Sequence, residues 1–112
     1  MILGPYEMTH PIVSRVPNTP GAYMLGNHVT DRALYVGRAD TSLQAQLLAH
    51  FSPLPPGNEI VPVQRFWYQV VRHPWEAYYL ECDWYHQYAP LHNSGHPMRP
   101  LGFQVGCRTC GR

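Results

Sequence analysis

The chain has 112 residues, a formal net charge of +1 and a charged fraction of 13%, so it makes one small domain with a modest core and lacks the general basic excess of dedicated nucleic-acid binders. No apolar run is long enough to span a membrane, and the opening residues carry no signal-peptide pattern. Three cysteines, two of them in a Cys-x-x-Cys, exclude a secreted disulfide framework, and the expected setting is cytoplasmic and reducing.

Residues 1–16 carry Pro5 and Pro11 and no helical period, so an extended arm is expected there. Val16-Pro-Asn-Thr-Pro-Gly-Ala-Tyr23 is a stiff lead-in to a first strand at about 21–26. Gly26-Asn27 is a turn signal, and a second strand is expected at about 32–37. Tyr23 and Tyr35 are thereby placed on neighbouring strands, with Gly37 and Arg38 shortly after the second tyrosine.

Thr41-Ser-Leu-Gln44 matches a capping box, with Thr41 as the cap and Gln44 reaching back. Leu43, Leu47 and Phe51 fall four apart and make the buried stripe of a helix at about 42–51, on which Gln46 and His50 share a face. A rigid loop is expected from Pro53 to Pro62. Residues 63–71 are rich in aromatic and β-branched types and read as a third, central strand. Pro74 suits the first position of a second helix at about 74–88, with Glu76 in its first turn. Ala77, Leu80 and Trp84 form its apolar stripe, and Glu81 sits beside them. Residues 91–112 form an irregular Pro/Gly-rich tail. The fold class expected is α+β: a single domain with a three-stranded antiparallel sheet flanked by helices.

Gly21-Ala22-Tyr23 and Tyr35-Val36-Gly37 are similar to the two tripeptides that give the GIY-YIG nuclease family its name. The Pro-x-x-Pro-Gly run ahead of Tyr23 also resembles that family. So does Glu76-Ala-Tyr-Tyr-Leu-Glu81, followed by Pro90 and Asn93. The resemblance covers residues 17–93, and its motifs stand in the family's order and spacing. It implies a DNA endonuclease that hydrolyses a phosphodiester with one divalent ion, Mg²⁺ or Mn²⁺. Carried over, Glu81 is the metal ligand, Tyr23 and Tyr35 surround the attacking water, and Arg38 contacts phosphate. His50 fills a helix position where the family has tyrosine or histidine. Gly21, Gly37 and Asn93 are structural positions. Such chemistry needs a carboxylate for a hard cation, a base near the water and a guanidinium fork for developing charge.

One position departs from the family. One turn before His50 the family has arginine, and this chain has Gln46, which brings no positive charge. Loss of a charge-stabilising donor at such a site costs about 3–4 kcal/mol. A second reading follows, in which a domain of the same fold binds nucleic acid or a protein partner without cutting. Taken singly, the residues have plainer readings: Tyr23 and Tyr35 as strand aromatics, Glu81 as a solvated rim residue, Arg38 as a shield on a sheet edge. The substrate implied is DNA, with branched or damaged ends, as in repair, as one class. A protein partner for targeting is another route to substrate.

The tail supports a third reading, a small module that holds structural Zn²⁺. His92, His96, Cys107 and Cys110 are ligand types that zinc takes, at ligand-like spacing within each pair. A redox dithiol fits less well, because the Cys-x-x-Cys opens no helix after a strand. Cys82 reads as a small buried hydrophobe.

Overall fold

The computed structural model describes residues 1–51, 63–93 and 95–111. Seven elements follow one another: β1 (Leu3–Glu7), α1 (His10–Val13), β2 (Gly21–Gly26), β3 (Tyr35–Ala39), α2 (Leu43–Ala49), β4 (Arg65–Val70) and α3 (Pro74–Tyr88). The sheet has four strands, not three, in the order β1-β4-β2-β3, and each neighbouring pair is antiparallel.

All six residues of β2 are buried, as befits a strand covered on both faces. On one face Tyr23 and Leu25 pack with Phe66 of β4, Leu43 and Leu47 of α2, and Val13 of α1. On the other, Ala22, Met24 and Val36 pack against Trp84 of α3. Gly21 lets α2 seat on the start of β2, since a Cβ there would stand 2.3 Å from the Gln69 carbonyl oxygen and 2.5 Å from Leu43.

Strand β3 lies at the sheet edge, and the chain itself covers that edge. The Leu91 and His92 N–H groups donate to the Ala33 and Leu34 carbonyls at 3.1 and 2.7 Å. Asn93 then pairs its side-chain amide with Val36 in both directions.

Several expectations need correction. The arm of residues 1–16 contains β1 and the short α1, whose cap Thr9 accepts the Ile12 N–H at 3.4 Å. The second strand begins at Tyr35, not at 32. Asn27 holds the preceding turn by accepting the N–H groups of Val29 and Thr30, each at 3.0 Å. Helix α2 is shorter than expected, ending at Ala49 with His50 as its C-cap. Its N-cap is Ser42, whose hydroxyl accepts the Ala45 N–H at 3.1 Å, rather than Thr41. Gln44 does not reach back; it donates to the Ser14 carbonyl at 2.7 Å and so ties α2 to the end of α1. β4 is interior, and α3 runs as expected, closed by Ala89 in the left-handed conformation (φ 43°). The loop expected at 53–62 lies outside the described residues. Among the described residues no helix is long and apolar enough to cross a membrane.

Candidate active site at the sheet edge

Antiparallel register puts Tyr23 across from Gly37, and Leu25 across from Tyr35. Cross-strand partners share a face, so both tyrosine rings project on the α2 side, their centroids 6.1 Å apart. Gly37 makes room for them: a Cβ there would lie 2.6 Å from the Tyr23 hydroxyl and 2.8 Å from the Tyr35 ring. The end of α2 brings in His50, whose Nε2 is 2.9 Å from the Tyr23 hydroxyl.

Burial holds this cluster in its neutral forms. Tyr23 is 1% exposed. Desolvation first, then the nearby Tyr35 and Glu81, push its hydroxyl far above the ordinary phenol range, with Gln46 pulling the other way. Tyr35 is raised for the same leading reason, again with help from Glu81. His50 keeps a solvent-facing edge, yet the desolvation of its ring lowers its pKa, so the imidazole is neutral at pH 7.

The other half of the site comes from the opposite face of β3. Arg38 pairs with Ala22 on the α3 side, and its Nη1 donates to Glu81 Oε1 at 2.7 Å. Its Nε donates to Asp40 Oδ1 at 2.8 Å, and Nη1 also reaches the Met98 carbonyl. Glu81 is 8% exposed. Burial raises its carboxyl pKa, and Arg38 opposes that rise without cancelling it. Because β3 is the edge strand, side chains from both faces converge around it on one open cleft. That cleft, of about 550 Å³, is lined by Tyr23, Tyr35, Arg38, Asp40, Gln46 and Glu81 among others.

The donor set suits a hard, largely hydrated cation. Among the described residues Glu81 Oε2 has no hydrogen-bond partner, and Glu81 faces a cleft with room for water. One carboxylate oxygen plus water ligands is a common Mg²⁺ environment.

No family profile matches the chain. A relative does: UvrABC system protein C of Acidothermus cellulolyticus is 32% identical over a 92-residue alignment, and the match covers 78% of this chain and 14% of that protein. The chain thus spans about one seventh of that relative's length. Among solved structures, the fold matches the GIY-YIG N-terminal endonuclease domain of UvrC from Thermotoga maritima, bound to its catalytic divalent cation, magnesium. The TM-score is 0.58 at 25% identity, over 74% of this chain and 92% of that one. A point mutant of the same domain, also bound to its catalytic divalent cation, gives a TM-score of 0.60 at 24% identity over 76% and 93%. This chain has the GIY-YIG fold.

In this GIY-YIG domain Tyr23, Tyr35, Arg38 and Glu81 all line the one cleft, joined by Gln46 from α2, and His50 adjoins it through its hydrogen bond to Tyr23. Gly21 and Gly37 stand at close approaches, and Asn93 sits on the β3 edge. Asp40 and Met98 also line the cleft and were not singled out from the sequence. Asp40, two positions after Arg38, carries a legible signal as a carboxylate close to a guanidinium. Met98 carries none, because its place depends on how the irregular tail folds back.

The tail ligands differ from expectation at one position. The ligand atoms of His96, Cys107 and Cys110 come together, but the second histidine beside them is His86 of α3, not His92. His92 is drawn to the sheet edge by its own N–H bond to Leu34, and among the described residues its buried Nε2 has no hydrogen-bond partner.

Proposed function

We propose that the GIY-YIG domain is a divalent-metal-dependent DNA endonuclease that hydrolyses a phosphodiester by water attack. The observation that carries this reading is the meeting of Glu81, Arg38 and the Tyr23–His50 pair around one cleft at the edge of β3. The likeness to solved endonuclease domains that hold a catalytic magnesium ion supports it.

Mg²⁺ or Mn²⁺, held by Glu81, supplies Lewis-acid polarisation of a phosphate oxygen. The chain's own groups do the rest. Tyr23 and Tyr35 orient the attacking water. As the Tyr23 oxygen draws a proton from that water, the phenol proton passes to the neutral Nε2 of His50. Glu81 and Asp40 fix the Arg38 guanidinium from two sides. Its Nη2 makes no hydrogen bond among the described residues and is free to donate to phosphate oxygens as charge grows on them.

One observation favours a second reading. Gln46 is exposed beside the cleft and brings no charge to the place where a phosphate would lie. On that reading the domain holds DNA without cutting it. Both are tested by incubating supercoiled and branched DNA with Mg²⁺ or Mn²⁺, wild type beside Glu81→Ala, with circular dichroism to check the fold of the variant. Cutting by the wild type that the substitution removes is the expected result. Binding without cutting by the wild type would support the second reading. Neither binding nor cutting would overturn both and leave a protein partner as the occupant of the cleft.

A further inference from the structure

We infer that His86, His96, Cys107 and Cys110 form a tetrahedral zinc site that fastens the irregular tail to the end of α3. This inference is independent of whether the cleft cuts DNA. All four ligand atoms lie within 4.8 Å of one another. Bonds of about 2.3 Å to sulfur and 2.0–2.1 Å to nitrogen place tetrahedral ligand pairs roughly 3.3–3.8 Å apart. The cluster is therefore within a small side-chain adjustment of that shape. One pair is already there, with Cys110 Sγ and His96 Nε2 3.3 Å apart.

The surroundings of the ligands are those a metal site needs. His96 Nδ1 is 2.9 Å from the Pro97 carbonyl oxygen, which can only accept, so Nδ1 carries the proton. That leaves the Nε2 lone pair directed at the cluster, with the ring held by a backbone acceptor as in ligating histidines generally. The Cys-x-x-Cys is a closed knuckle. Gly111 N–H closes it by donating to the Cys107 carbonyl at 2.8 Å. Gly111 has a φ of +80°, a conformation glycine adopts at no steric cost. Two sulfurs and two imidazoles select zinc over the hard cations that carboxylates prefer.

The tail has little regular structure with which to hold its shape. Among the described residues beyond 90 there is no helix or strand. The segment is anchored by Arg108, which pairs with Asp83 at 2.7 Å and lies over the Tyr79 ring, and by Cys107 packed on Tyr78 and Cys82. A metal staple supplies what so short and irregular a segment cannot bury for itself. Its position matters for the cleft, because His96 is two residues from Met98, whose carbonyl accepts from Arg38.

The test uses the full chain without an affinity tag, purified without chelator, incubated with Zn²⁺ and desalted. Elemental analysis is expected to find about one zinc per chain, and replacement by Co²⁺ should give the intense visible bands of a tetrahedral site with thiolate-to-metal charge transfer. His86→Ala and Cys110→Ser, both changes at exposed residues, should lower retained zinc roughly tenfold or more, while His92→Ala should retain it. Less than about half an equivalent in the wild type, or a weak octahedral cobalt spectrum, would overturn the site. Loss on His92→Ala with retention on His86→Ala would overturn the ligand set.

Discussion

Asn93 lies beside Val36 as a one-residue substitute for a neighbouring strand. Its Oδ1 accepts the Val36 N–H at 2.9 Å, and its Nδ2 donates to the Val36 carbonyl at 2.9 Å. Val36 is fully buried, so removing the amide leaves a donor and an acceptor unmatched. Asn93→Ala should therefore cost about 2–4 kcal/mol, read as a lower midpoint in urea unfolding. Asn93→Asp, which keeps only the acceptor function, should fall between the two. An unchanged midpoint for Asn93→Ala would mean that water replaces the amide without loss.

Gly37 is the position where a single methyl group reaches both tyrosines. Gly37→Ala places a carbon within 2.6 Å of the Tyr23 hydroxyl, and the rings must move to admit it. The expected cost is roughly 1–3 kcal/mol in stability. A changed near-ultraviolet circular dichroism signal and a greater loss in kcat than in Mg²⁺ affinity are also expected. An equal loss of both would show that the displaced rings reach Glu81.

Gln46→Arg tests the departure from the family directly. A guanidinium at that point adds a charged donor to the cleft. If the position carries the family's role, kcat for DNA cleavage should rise, roughly 10²-fold at most. No change would place the charge-stabilising work elsewhere, with Arg38 the first candidate.

The pH profile should report His50. Its ring desolvation disfavours the imidazolium, so the neutral acceptor persists below the ordinary histidine value of 6.5 and is lost only as the pH falls further. Cleavage should therefore hold through pH 6.5 and decline on the acid side of it. His50→Gln should abolish that limb while leaving Mg²⁺ binding at Glu81 unchanged. A decline already centred above 6.5 would show that the imidazole is not the proton acceptor.

The tyrosine–histidine half of the candidate site was legible because two local periodicities carry it. Strand alternation fixes Tyr23 and Tyr35, and the four-residue helical spacing fixes Gln46 with His50. Helix α3 was readable to the residue because Pro74 opens it and Pro90 forbids its continuation. The missing strand β1 was not legible for a physical reason. All five of its residues are exposed, Pro5 interrupts it, and its pairing with β4 exists only once β4 is in place. The exchange of His86 for His92 has a similar cause. His92 follows the cysteines' partner His96 in spacing logic, but its backbone is committed to the edge of β3. The tail's return over α3 presents the rest of the cluster to His86 instead.

A bare strand edge, with its row of N–H and C=O groups, invites a strand from another molecule. This sheet withholds both of its edges. Along β3 the chain's own residues 91–93 occupy the donors and acceptors of Ala33, Leu34 and Val36. Along β1, Pro5 removes one donor and the register slips between Leu3 and Tyr6, so no regular row is left to copy. The sheet is thereby self-limiting at four strands. Cutting back the chain before residue 91 would do more than unsettle the cleft: it would turn a closed edge into a template for aggregation.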